Sequence, residues 1–190
     1  MARNDDRRRL LTDAAITVLA DEGARGLTHR AVDAAAGVPT GTTSNYFRTR
    51  DDLIAALFAR ISERLTPDPE VAARLAARKP SRKLFADYVR DIVTRLTANR
   101  DVTLALFELR LESTRRPEVA EQLGAWLREG LAADIAFNTE AGLPGSAAEI
   151  ILFHYALDGL MLDRLTTSID PATSTDRVVD LLVARLLPGP

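Results

Sequence analysis

Cysteine is absent from the 190 residues, which excludes disulfides, thiolate metal sites and thiol redox sensing. Lysine is nearly absent: only Lys79 and Lys83 occur, so arginine carries almost all the positive charge. Histidine occurs twice, as His29 and His154. No run of about 18 uncharged apolar residues exists, so nothing is expected to span a membrane. No apolar segment follows the N-terminal charges, so no signal peptide is expected and the chain should be cytoplasmic. Strand-type alternation persists nowhere, and internal repeats and low-complexity tracts are lacking.

The same scarcity bears on catalysis and cofactors. Di-iron bundles need Glu-x-x-His at i, i+3 on two helices. Here Glu149 and His154 are five apart, and the other histidine is far away in sequence. Glu108 and Glu112 are one turn apart but have no histidine with them. No nucleophile, base and orienting group recur together. No catalytic residue, metal or cofactor is expected.

What is present is helical periodicity, with a net charge of −2. Residues 1–50 hold eight arginines and six acids, a net +2, so the basic end is the first quarter. Arg3, Arg7, Arg8 and Arg9 could reach phosphates or a minor groove. Leu10, Leu11, Ala14, Ala15, Val18 and Leu19 predict a first helix over about 5–21, ended by Gly23. The expected core of this region is Leu11, Ala15, Val18, Leu19, Leu27, Val32, Ala35, Val38, Tyr46 and Phe47.

Residues 28–50 carry the main signal. Thr28 reads as an N-cap for a short helix through Ala36, and Gly37 as its left-handed stop. Thr40 reads as the cap of a second helix that runs to about Phe47. Helix, tight turn with glycine, helix is the helix-turn-helix unit. The second helix carries Thr40, Gly41, Thr42, Thr43, Ser44 and Asn45. These residues stabilise helix poorly and are too small to fill a core. They suit a surface laid in a major groove, where hydroxyls and amides read base edges. Thr42 and Asn45, three apart, are the expected base readers. Tyr46, Arg48 and Arg50 follow, placed to grip phosphates. Thr28, His29 and Arg30 at the start of the first helix complete the candidate DNA-contacting set.

Ala36-Gly37-Val38, Gly41, Tyr46-Phe47, Arg50 and Leu53 resemble the signature of the tetracycline-repressor (TetR) family. The motif covers about residues 35–53. Three positions depart from it: Pro39 stands where Ser is usual, Thr43 where an aliphatic is usual, and Ser44 where Tyr is usual.

Thr49 with Asp52 predicts a capping box for the next helix, through about Leu65, with Leu53, Ile54, Leu57, Phe58 and Ile61 on its apolar stripe. Thr66-Pro-Asp-Pro breaks it and marks the best domain boundary. The expected organisation is all-α, about nine helices. It comprises a helix-turn-helix domain over 1–48, a bridge helix 49–65 that completes it, and a domain over 66–190.

Later helices are expected over about 70–78, 81–98, from Asp101 and from Pro117. Leu104, Phe107 and Leu111 should form one apolar side of the Asp101 helix. Residues 150–162 and about 173–187 are apolar on more than one face. One side should pack in the protomer and the other against a second chain. The resemblance implies the same, a homodimer through the last two helices. It also implies an effector pocket in the second domain, for which Phe107, Arg110, Trp126, His154 and Asp158 are the candidates.

The sequence thus reads as a DNA-binding transcriptional regulator. The fuller expectation is a homodimeric repressor of a near-palindromic operator, released by a small-molecule effector. Alternatives are an activator or ligand-independent regulator of the same fold, or a helical interaction or enzymatic module.

Overall fold

A computed structural model describes residues 2–187, with side chains from Asn4 onward. The Arg3 side chain, one of the four terminal arginines, lies outside the described residues. The described residues form ten helices and no strand. They are α1 (Ala2–Gly26), α2 (His29–Ala35), α3 (Thr42–Tyr46), α4 (Arg50–Arg64) and α5 (Pro69–Ala76), then α6 (Arg82–Ala98), α7 (Arg100–Ser113), α8 (Pro117–Glu140), α9 (Ala147–Leu165) and α10 (Thr175–Leu186). None is long and apolar enough to cross a membrane.

Two compact units divide the chain: residues 1–66 with 99–126, and residues 67–98 with 127–190. α7 and Pro117–Trp126 of α8 therefore pack with α1 to α4.

In the first unit α1 runs longer than expected, with a break at Gly23, whose φ is +69°. That conformation is left-handed and favours glycine. Leu11, Ala15, Ile16 and Leu19 of α1 are fully buried, with Val32 of α2 and Phe47 after α3. α4 adds Leu53, Ile54, Leu57 and Ile61. These recur at helical spacing, so each helix turns one stripe inward. Ala35, expected in this core, is exposed, and Val38 and Tyr46 are half-buried. α7 contributes Val102, Ala105 and Leu109 rather than the expected Leu104, Phe107 and Leu111; Leu111 is 55 % exposed.

In the second unit, Leu84, Phe85, Val89 and Val93 of α6 are buried, as are Ile150, Phe153, Leu157, Leu160 and Met161 of α9. Phe85 and Phe153 meet with ring centroids 4.8 Å apart. Val179 and Val183 of α10 complete the core. The Arg82 guanidinium donates to the carbonyls of Val183 (2.7 Å) and Leu187 (3.1 Å), satisfying the end of α10 with a positive charge.

Candidate nucleic-acid interface

Thr28 caps α2 as expected: its side-chain oxygen accepts from the Ala31 amide at 3.1 Å. Gly37 follows with φ +63°, the left-handed stop. The turn then reaches Gly41, at φ +92°, and α3 begins at Thr42.

The cap of α3 is a correction. Thr40 does not supply it; Gly41 holds the N-cap position and has no side chain to offer. Asp33 of α2 does the work from a neighbouring helix. Its Oδ2 accepts from the Gly41 amide at 2.7 Å. Its Oδ1 accepts from the Thr43 amide at 2.7 Å and from the Thr43 hydroxyl at 2.5 Å. Both side chains are buried, Asp33 at 2 % and Thr43 at 0 % exposure. Burial is the largest influence on the carboxyl and pushes its pKa up. The bonds from Thr43 and Gly41, with His29 nearby, together outweigh it and hold the group below its ordinary value.

A second correction follows. Thr43, expected on the base-reading surface, faces the interior, because its hydroxyl is bound to Asp33. The outward face of α3 carries Ser44 and Asn45, with Thr42 half-exposed; Thr40, exposed, and Gly41, half-exposed, lie in the turn before it. The Thr42 hydroxyl donates to the Pro39 carbonyl at 2.6 Å, and that of Ser44 to the Gly41 carbonyl at 2.9 Å. Their oxygen lone pairs stay open to donors. The Asn45 side chain is exposed, and its amide carries both a donor and an acceptor.

The arginines separate. Arg30 and Arg48 are exposed. Arg50, expected to grip phosphate, is turned inward. It donates to the Ala24 carbonyl and pairs with Glu112 at 3.5 Å. Those acceptors sit at the end of α1 and on α7, so Arg50 is a strut of the first unit. Arg8 lies 4.6 Å from the centroid of the Phe47 ring and donates to the Tyr46 carbonyl at 3.2 Å, and Arg9 pairs with Glu63. His29 has a buried Nε2 without a hydrogen-bond partner among the described residues.

α4 starts on the expected capping box: the Asp52 amide donates to Thr49 and the Thr49 amide to Asp52, both at 3.0 Å. Beyond it, Arg60 holds Asp13 of α1 through two bonds of 2.8 Å. Arg64 holds Asp101 of α7 at 2.7 Å. The helix that carries α3 on its N-terminal side is thus tied to α1 and α7.

Two family models match this arrangement. Residues 11–57 match the model of bacterial regulatory proteins of the tetR family. Residues 80–189 match that of the tetracyclin repressor-like C-terminal domain. The chain belongs to the TetR family. This TetR regulator is 30 % identical to the multidrug binding protein EbrR in its complex with imidazole, with 97 % of this chain and 96 % of that chain covered and a TM-score of 0.64. With the same protein bound to malachite green the identity is 30 %, coverage is 96 % and 99 %, and the TM-score is 0.68. A TetR-family protein from Streptomyces coelicolor A3 is 28 % identical over 96 % of this chain and 99 % of that one, with a TM-score of 0.69. No curated protein matches the sequence. As a family member the chain is a DNA-binding transcriptional regulator, not an enzyme.

The effector candidates of this TetR regulator fall in both units. Phe107, Arg110 and Trp126 belong to the first. Trp126 stacks on Phe58 at 5.7 Å, and its Nε1 donates to the Ser62 hydroxyl at 2.8 Å. A cleft of about 210 Å³ in this unit is lined by Glu22, Gly23, Ala24, Arg25, Glu108, Leu111, Glu112 and Arg115; Phe107, Arg110 and Trp126 do not line it. His154 and Asp158 belong to the second unit, where His154 Nε2 lies 3.0 Å from Asp134.

Proposed function

We propose that the chain is a homodimeric, cytoplasmic repressor that binds a near-palindromic operator and leaves it when a small molecule binds. Residues 1–48 serve as the DNA-binding domain, 49–65 as the bridge, and 66–190 as the effector and dimerisation part. The observation that carries the DNA reading is the outward face of α3: Ser44 and Asn45 stand exposed on a helix pinned from beneath by Asp33, with Thr40 exposed in the turn before it. Thr42 and Asn45 read bases, and Tyr46, Arg48 and Arg30 lie at the edges for phosphates, with Thr28 and His29 at the start of α2. Two copies of α3 enter successive major grooves roughly 34 Å apart.

The dimer rests on α9. Leu152, Tyr155 and Leu162 are 45 %, 69 % and 50 % exposed. With Gly159 they fall at helical spacing on one face, and a Cβ at Gly159 would meet nothing within 4 Å. An exposed apolar stripe with a gap for close approach suits a helix of a second copy.

Effector release draws on the likeness to EbrR, a multidrug binding protein seen with imidazole and malachite green. A ligand that prefers the form unable to bind DNA shifts the population by its differential affinity. Phe107, Arg110 and Trp126, and separately His154 and Asp158, are the residues to test. Trp126 is the only tryptophan and touches α4, so its fluorescence reads that contact.

The decisive experiment selects duplexes from a random pool with the wild-type protein. A recovered near-palindrome bound by two chains supports the proposal; no enrichment at any salt concentration refutes it. Dyes that release the duplex while quenching Trp126 support the effector part, and Phe107→Ala or His154→Ala should blunt that response.

A further inference from the structure

We infer that Asp33 and Thr43 are positioning residues that fix the rotation of α3 about its own axis, and so decide which of its side chains face DNA. The inference rests on the operator-binding reading above and deepens it.

α3 has five residues, too few to be a stable helix by itself. Its N-cap residue is glycine, which supplies no acceptor. Its form therefore depends on what lies beneath. Position 43 is the inward one, and the TetR signature has an aliphatic there. A buried aliphatic holds a helix by contact that has no preferred direction. Small rotations leave it nearly as well packed. This chain has a hydroxyl instead, buried against a carboxylate from α2. Hydrogen bonds weaken steeply with angle, and bonds to an ionised acceptor are roughly twice as strong as neutral ones.

The geometry uses both carboxylate oxygens. Oδ2 takes Gly41, before the helix, and Oδ1 takes the amide and the hydroxyl of Thr43, within it. A rotation of α3 stretches all three bonds together and strands a buried charge. Thr43 and Asp33 so turn Ser44 and Asn45 outward. Neither touches the outer face, so the pair acts through those residues. The polar residue at the inward position, where the signature has an aliphatic, is explained by its bond to Asp33.

The test uses the full-length protein and a duplex recovered by the wild type from a random pool, compared with a scrambled duplex of the same length. Thr43→Val removes the hydroxyl at nearly constant volume. It should lower the ratio of selected to scrambled affinity by about tenfold, near the discrimination one base pair provides. Affinity for the scrambled duplex and its salt slope should stay as in the wild type. Thr43→Ser, which keeps the hydroxyl, should restore the ratio. The double variant Asp33→Ala with Thr43→Leu replaces the polar pair by an apolar one. It should melt no lower than Thr43→Val yet keep a depressed ratio, which a role confined to stability would not produce. Wild-type ratios in both Thr43→Val and the double variant would overturn the inference alone. Failure of the wild-type protein to enrich any sequence would overturn the operator-binding reading, and this inference with it.

Discussion

Arg48 and Arg50 are two positions apart and face different surroundings. Arg48 is exposed beside the outward face of α3, while Arg50 is bound to Ala24 and Glu112. Replacing Arg48 by Ala should weaken binding to all duplexes alike and lower the salt slope by about 0.9 per subunit. Arg50→Ala should leave that slope unchanged and lower folding stability by about 1–2 kcal/mol, through the lost bond to a carbonyl. Titrations at several salt concentrations, with urea melts beside them, separate the two. Asn45→Ala should cost about 1–3 kcal/mol at particular operator positions only; equal weakening at every position would make Asn45 a backbone contact. Asp33 adds a pH dependence. Its folded pKa lies below the unfolded value, so the stability it contributes is present above the unfolded pKa. That contribution is lost as pH falls through the folded value. Urea midpoints measured from pH 6 downward should fall on acidification, and Asp33→Asn should flatten this fall.

At the scale of the element, α4 shows why some structure is readable in sequence and some is not. Its start depends on Thr49 and Asp52, three residues apart, and such a local pair is visible in the chain. The start of α3 depends on a carboxylate eight and ten residues upstream on another helix, so a neighbouring hydroxyl, Thr40, looked sufficient. The inward turn of Thr43 and of Arg50 has the same origin: their partners are chosen by tertiary packing. The face of α7 was misread for a related reason. Leu104, Phe107 and Leu111 recur at helical spacing, but so do Val102, Ala105 and Leu109, and it is this second stripe that is buried where α7 packs with α1. The helices themselves, the left-handed Gly37 and the break at Gly23 were legible because each depends on few adjacent residues. The ties of α4 can be tested as an element. Arg60 and Asp13 share two bonds and are 19 % and 37 % exposed, so solvent screens them in part. A double-mutant cycle with Arg60→Ala and Asp13→Ala should give a coupling of about 1 kcal/mol in urea melts. A coupling near zero would mean that packing alone seats α4 on α1.

At the scale of the whole molecule the question is what covers α9. Both α9 and α10 leave large apolar residues at the surface: Leu152, Tyr155 and Leu162 on α9, and Leu181 on α10. Val179 is fully buried within the protomer, so a charge there would report folding rather than association. Leu152 and Leu162 are half exposed and contribute little to the protomer core, whereas Phe153, Leu157 and Met161 on the same helix are buried in it. Glutamate at Leu152 or Leu162 should therefore leave a folded chain with unchanged helix content. In a dimer the same charge would be buried without a partner, at a cost of several kcal/mol. The expected result is a monomer by sedimentation at micromolar concentration that still binds a single half-site weakly and has lost the cooperative affinity for the full operator. Filling Gly159 gives a second, milder probe. Alanine there has open space in the protomer and favours helix by about 1 kcal/mol, so the protomer should be stabilised. If a second α9 approaches at that point, the added methyl group should loosen the dimer while the protomer melts higher. If Gly159→Ala raises the melting temperature without weakening association, and Leu152→Glu stays dimeric, the two chains meet on another surface.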